Sequence, residues 1–69
     1  MARIKMTYLA TYRNAGEITL KPVARFLSLY DALRYAQWLS ENATGEVEIF
    51  QEGRSCGVYV KGAEYKRTY

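Results

Sequence analysis

The first part of the chain alternates apolar and polar residues with period two, which predicts β-strands over residues 3–13 and 17–26. Asn14-Ala15-Gly16 between them is typical of a three-residue hairpin loop with Gly16 in the left-handed conformation. Closing the loop on an Arg13–Glu17 pair places the apolar residues of both strands on one face of the hairpin. The expected cross-strand pairs are then Tyr12–Ile18, Ala10–Leu20, Tyr8–Pro22, Lys5–Arg25 and Ile4–Phe26.

Pro22 indicates where the second strand lies in the sheet. Proline has no backbone N–H, so it is tolerated within a strand only where no further strand pairs on that side. We therefore expect the second strand to form an edge.

A helix is predicted over residues 29–43, where apolar residues recur at helical spacing. Ser28 is its expected N-cap, and Asp31 three residues later makes a variant of the capping box. The helix should stop at Thr44-Gly45. One side of it collects small and aliphatic residues: Leu29, Ala32, Leu33, Ala36, Leu39, Ser40 and Ala43.

Two more strands are predicted after the helix. The first covers residues 46–50, and a turn over 52–55 leads to the second over 56–61. Residues 62–69 form either a short last strand or a loose tail. In this interpretation Cys56, Val58 and Val60 face the helix, whereas Phe50 and Tyr59 face outward.

The element order β-β-α-β-β predicts a single domain, residues 1–69, of the fold class α+β. A right-handed crossover from the edge strand through the helix places the third strand beside the first. The expected sheet has four antiparallel strands in the order 2-1-3-4, with the helix packed on one face.

Charge is segregated along the chain. The 69 residues carry 10 Lys and Arg against 7 Asp and Glu, a net charge of +3. The middle of the chain, residues 28–52, has one basic residue, Arg34, and is otherwise acidic. Its acidic residues are Asp31, Glu41, Glu46, Glu48 and Glu52. We therefore expect the acidic middle to pair with the basic ends.

Candidate chemistry is sparse. The chain has no histidine and a single cysteine, Cys56, which excludes an internal disulfide, the usual zinc sites and Cys-His or Ser-His nucleophile pairs. Its five glycines form no phosphate-binding motif. We expect no enzyme activity, no catalytic residue, no metal and no cofactor. The lone cysteine, with no signal-peptide core behind Met1 and no membrane-length apolar run, predicts a cytoplasmic protein.

The outer face of the predicted helix is the leading candidate site. Trp38 falls almost opposite the apolar side, with Arg34 and Asp31 on the same outer face and Tyr30 and Tyr35 beside them. An exposed tryptophan beside arginine and tyrosine is typical of a protein-binding hot spot. The alternative is that Trp38 leans over the sheet edge or is covered by the C-terminal tail.

The solvent face of the first hairpin is the second candidate, as a surface for nucleic acid. It collects basic residues that could follow a phosphate backbone: Arg3, Lys5, Arg13, Lys21 and Arg25. The alternative is that they pair with acidic residues of the third strand and the turn after it, on the same face: Glu46, Glu48 and Glu52.

The segment Asp31-Ala32-Leu33-Arg34-Tyr35-Ala36-Gln37-Trp38 resembles the helix of the small RNA-polymerase inhibitors of short-tailed lytic phages, in which Ala-Leu-x-x-Ala-x-Trp follows an acidic residue. The preceding hairpin and the following Gly45-Glu46-Val47 occur in similar order, so the likeness spans residues 7–50. Phage anti-CRISPR proteins of this size are similar too. These resemblances imply a phage-type inhibitor in the host cytoplasm that masks a surface of a CRISPR effector or RNA polymerase.

The sequence thus supports three hypotheses. The leading one is a non-enzymatic protein-binding inhibitor that holds a larger host complex through Trp38, Arg34, Tyr30, Tyr35 and Asp31. The alternative is a small basic nucleic-acid-binding protein that uses the hairpin face. The third is a structural subunit that self-associates through the second strand, and no membrane partner is expected.

Overall fold

The computed structural model describes residues 7–67, which form one α-helix packed on one face of an antiparallel five-stranded sheet. The strand order is β2-β1-β3-β4-β5. In chain order the elements are β1 (Tyr8–Arg13), β2 (Lys21–Phe26), α1 (Leu29–Glu41), β3 (Glu46–Gln51), β4 (Arg54–Val60) and β5 (Ala63–Arg67). The α+β class and the order of the first four strands are confirmed. The tail supplies a fifth strand beside β4.

The pairing of β1 with β2 differs from the prediction. Tyr8 lies opposite Phe26 and Ala10 opposite Ala24, so the register is shifted by four residues from the expected Tyr8–Pro22 and Ala10–Leu20 pairs. Residues 17–20 are not part of a strand, and Ile18 is 89% exposed rather than paired with Tyr12. The expected partner of Phe26, Ile4, lies outside the described residues.

A turn at residues 14–17 with Gly16 in the left-handed conformation is confirmed, since the Glu17 N–H donates to the Asn14 carbonyl at 3.0 Å and Gly16 has φ +86°. The predicted three-residue hairpin loop is wrong, because β1 ends at Arg13 and β2 begins only at Lys21.

At Tyr8 and Ala10 the predicted register differs from the observed one by four residues, an even number that leaves side chains on the same face, so alternation alone cannot distinguish the two pairings there. Closer to the turn, Tyr12 lies opposite Lys21 rather than Ile18, a difference of three residues. The observed register places Phe26 where its ring contacts Tyr35 of α1.

β2 is an edge strand, as Pro22 predicts. Pro22 lies opposite Thr11 rather than Tyr8, because the register is shifted, and Val23 is an extra residue between the Ala10–Ala24 and Thr11–Pro22 pairs. Such a bulge increases the local twist of an edge strand. Arg25 lies opposite Leu9, so the expected Lys5–Arg25 pair does not form.

The helix begins as predicted and ends earlier. The Ser28 hydroxyl accepts a hydrogen bond from the Asp31 N–H at 3.4 Å, which is the N-cap contact. The last helical residue is Glu41 rather than Ala43, because the Asn42 side-chain amide donates to the Trp38 carbonyl at 2.7 Å and caps the C-terminal end there. Among residues 7–67, no helix is long and apolar enough to cross a lipid bilayer.

Small residues let the helix approach the sheet closely. Ala32, Ala36 and Ser40 of α1 are fully buried against a sheet whose largest fully buried side chains are Ile49 and Val47. Larger side chains surround this centre and are only partly buried: Tyr8, Tyr12, Phe26, Leu29, Leu33, Tyr35, Leu39 and Tyr59. The core is therefore narrow, with aromatic residues at its rim.

A bulge in β4 corrects the predicted faces of that strand. Ile49 pairs with Gly57 and Phe50 with Ser55, so Cys56 between them has no partner residue and turns into the core. After Cys56, the positions of β4 that face the helix and those that face outward are exchanged relative to the prediction. Tyr59 lies opposite Val47 and packs on the core, so its predicted outward position is wrong. The inward positions predicted for Val58 and Val60 are wrong as well, because these residues pair with Glu48 and Glu46 on the other face.

Two side-chain hydrogen bonds fix the ends of the loops near the helix C-terminus. The Tyr12 hydroxyl accepts from the Gly45 N–H at 2.9 Å, and the Ser40 hydroxyl accepts from the Gly62 N–H at 2.9 Å. Gly45 has no room for a side chain, because a Cβ there would collide with the Arg13 carbonyl and the Tyr12 hydroxyl.

We expect Gly45→Ala to lower the free energy of unfolding by about 2–3 kcal/mol, since the methyl group meets backbone that cannot move aside cheaply. Urea denaturation measures the loss. The matched control is Gly16→Ala, where a Cβ meets no atom within 4 Å and the cost, from its positive φ alone, is about 1 kcal/mol. Equal losses for the two variants would contradict the packing argument.

Candidate functional site

The outer side of α1 exposes large side chains. Trp38 is 56% exposed, Tyr30 is 66% exposed, and Leu27, just before the N-cap, is 69% exposed. Single exposed apolar residues are common on monomers, but a group of them on one helix is typical of a binding surface. We call Leu27, Tyr30, Arg34, Tyr35 and Trp38 the aromatic face of α1.

Trp38 lies at the end of a row of three aromatic rings. The Phe26 ring of β2 and the Tyr35 ring have centroids 5.2 Å apart, and the Tyr35 and Trp38 centroids are 5.9 Å apart. These are favourable distances for tilted aromatic pairs. Tyr35 is half-buried and belongs to the rim of the core, so the fold itself holds the ring on which Trp38 rests.

Arg34 and Tyr30 form a second pair on the aromatic face. The guanidinium carbon of Arg34 lies 5.6 Å from the centroid of the Tyr30 ring, which is cation–π distance. The two residues are one helical turn apart, and both side chains are exposed. The contact restricts the guanidinium to one region of the surface.

The structure therefore brings four of the five predicted site residues into two contacting pairs, Tyr30–Arg34 and Tyr35–Trp38. Asp31 is exposed in the first helical turn, where its negative charge favours the helix N-terminus. Trp38 leans toward Tyr35 yet keeps over half of its surface exposed, and residues 63–67 pair with β4.

The sequence reasoning missed Leu27 and Phe26. Leu27 occupies the position before the N-cap, where an apolar side chain commonly packs back on the helix; instead it is exposed. The position before the N-cap predicts packing on the helix and therefore gave no signal that Leu27 would be exposed. No sequence signal linked Phe26 to Tyr35, because the contact depends on the register of β2.

The alternative basic face is only partly described. Arg3 and Lys5 lie outside the described residues, and Lys21 and Arg25 are exposed on the edge strand β2. Arg13 forms a salt bridge with Glu46 across β1 and β3. This is one of the intramolecular charge pairs expected between the basic ends and the acidic middle.

Cys56 is buried in the core cluster, 7% exposed. Burial raises the pKa of its thiol, and the nearby positive charge of Arg54 opposes this in part. Such a thiol is a weak nucleophile at neutral pH. Within the described part of the chain, no three Cys, Asp or Glu side chains come together where they could hold a metal ion.

Comparison of the chain with protein-family models, with curated proteins and with solved structures finds no match.

The aromatic face makes a stability prediction. We expect Trp38→Ala to lower the free energy of unfolding by about 1 kcal/mol and Tyr35→Ala by about 2–3 kcal/mol, because only Tyr35 supports the core. Thermal and urea denaturation of both variants measure the difference. A loss from Trp38→Ala as large as that from Tyr35→Ala would show that the indole is a structural residue.

Cys56 makes a pH prediction. A raised pKa in the folded state means that the stability contributed by the neutral thiol is complete below the thiol's ordinary pKa and is lost as pH rises through the folded pKa. Unfolding free energies measured from neutral to alkaline pH should fall more for the wild type than for Cys56→Ala.

Iodoacetamide should alkylate Cys56 slowly in the native protein and rapidly in urea, and equal rates would contradict its burial.

Proposed function

We propose that the protein is a non-enzymatic binding protein that docks on a larger protein through the aromatic face of α1 and acts by masking the surface that it covers. The observation that carries this proposal is the exposed Trp38 ring, 56% accessible and seated on Tyr35. Tryptophan, tyrosine and arginine are the residues most enriched among binding hot spots.

The way in which Trp38 is held supports this role. Association costs free energy whenever a mobile side chain must be ordered in the complex. Because Tyr35 rests on Phe26, and Phe26 belongs to the sheet, the ring beneath Trp38 is already fixed in the free protein. The indole can therefore enter a partner pocket with little further loss of entropy.

The other residues of the surface have complementary roles in this proposal. Tyr30 adds apolar contact area, Tyr35 supports the anchor, and Arg34 and Asp31 supply charges that select the partner. Leu27 extends the apolar area beyond the N-cap of the helix. Together they form a surface with an apolar centre and a polar rim, the usual anatomy of a protein interface.

The partner we propose is a large assembly of a bacterial host, a CRISPR effector or RNA polymerase, which a phage-encoded inhibitor would meet in the host cytoplasm. The support is the helix segment 31–38, which resembles the phage polymerase inhibitors. That family also uses arginines on its third strand, whereas β3 has none. In this protein the helix would therefore carry the binding role.

The test is capture of proteins from a bacterial lysate on the immobilised chain. We expect a partner held by the wild type to bind Trp38→Ala at least about 30-fold more weakly, equivalent to about 2 kcal/mol. The matched control is Tyr65→Ala, which removes an aromatic side chain that is 75% exposed on β5, at the opposite edge of the sheet from β2. It should bind like the wild type.

Equal capture by Trp38→Ala and the wild type would overturn the proposal. So would unfolding of Trp38→Ala, checked by circular dichroism, because the indole would then belong to the core. Retention of short DNA or RNA duplexes in 150 mM salt, lost in Lys21→Ala/Arg25→Ala, would favour nucleic-acid binding through the basic face instead.

A further inference from the structure

Arg34 has an unusual setting. It is the only basic residue between Arg25 and Arg54, a stretch that contains five acidic residues. Even so, among residues 7–67 no carboxylate lies within ion-pair distance of its guanidinium, whereas Arg13 forms a salt bridge with Glu46. Its contact with the Tyr30 ring satisfies none of its N–H donors.

The helix gains little from a positive charge at this position. A basic side chain stabilises a helix in its last turn, through the macrodipole, or three or four residues after an acidic one, by a small amount. Arg34 lies in the N-terminal half of α1, and Asp31 lies three positions before it. The two side chains form no ion pair, and the Arg34 guanidinium lies over the Tyr30 ring instead. The positive charge of Arg34 therefore has no ion-pair partner among residues 7–67.

Asp31 is the contrasting case. Its carboxylate lies in the first turn of α1, where a negative charge is stabilised by the helix N-terminus. The charge of Asp31 thus has a function within the fold. The guanidinium of Arg34, in contrast, forms no ion pair with a carboxylate among residues 7–67.

The geometry around Arg34 suits an external carboxylate. The guanidinium lies over the Tyr30 ring and forms no ion pair within residues 7–67, so it can donate two parallel hydrogen bonds to an incoming carboxylate. Trp38 follows one helical turn later on the same side, about 5–6 Å along the helix. A group that reaches Arg34 is therefore within one side-chain length of the indole.

We infer that the partner of this surface is an acidic protein segment, with an aspartate or glutamate placed to bind Arg34 and a large apolar side chain beside it placed to pack on Trp38. This inference rests on the proposed function, because it names the chemistry of the partner that the aromatic face binds. Opposite charge at the rim of the interface would also accelerate association and make it sensitive to salt.

The test uses a displayed library of random twelve-residue peptides, selected separately on the wild type, Arg34→Glu and Trp38→Ala. Circular dichroism first confirms that each variant is folded. We expect the wild type to enrich peptides with Asp or Glu within a few residues of Trp, Phe, Leu or Met. Arg34→Glu should instead enrich Lys or Arg at the acidic position, and the charge-reversal control Lys21→Glu should select the wild-type motif.

Binding constants of the selected peptide complete the test. Arg34→Gln and replacement of the peptide's acidic residue by its amide should each weaken binding about tenfold. The two changes together should weaken it by little more than either alone, which is the signature of a direct contact.

The outcomes separate the two proposals. Peptides that need Trp38 but show no preference for acidic residues overturn this inference and leave the proposed function standing. Peptides that bind Trp38→Ala as well as the wild type overturn the proposed function. Failure of the wild type to enrich any peptide overturns the inference, as do acidic peptides whose affinity is unchanged in both Arg34→Gln and Arg34→Glu.

Discussion

The close approach of α1 to the sheet determines where the aromatic side chains of this protein lie. Ala32, Ala36 and Ser40 present so little volume that the helix settles directly on Val47 and Ile49. Large side chains cannot enter between the two layers, because interiors are close-packed. The aromatic residues are therefore displaced to the rim of the core or to the outer side of the helix. An exposed tryptophan is in this sense a consequence of a narrow core.

Local chemistry was enough to predict the helix, the first four strands and their order, but not the fifth strand. Ser28 fixed the start of the helix, Pro22 placed β2 at the edge, and the small residues of α1 identified its buried side. Register was harder to predict, because the shift of four residues at Tyr8 and Ala10 leaves their partners on the same face. Bulges at Val23 and Cys56 were also hidden, since one extra residue reverses an alternation that otherwise looks regular.

The candidate site shows the same difference between what was predictable from local sequence and what was not. Helical periodicity alone placed Trp38 opposite the apolar side, and the structure leaves it accessible. The support of Trp38 through Tyr35 and Phe26 could not be predicted, because it joins the helix to a strand whose register was unknown. Residues within one element can be placed from sequence, whereas contacts between elements depend on long-range pairing.

The irregular edge strand β2 affects how readily such a protein aggregates. A small protein that displays bare aromatic rings carries a hazard if its outer strand can also recruit extended chains. Pro22 removes an amide donor from β2, and the extra residue Val23 interrupts the ladder that an incoming strand would need. Fibril growth by strand addition is therefore disfavoured at β2. The apolar surface of the helix can thus stay open at high concentration without the sheet polymerising from β2.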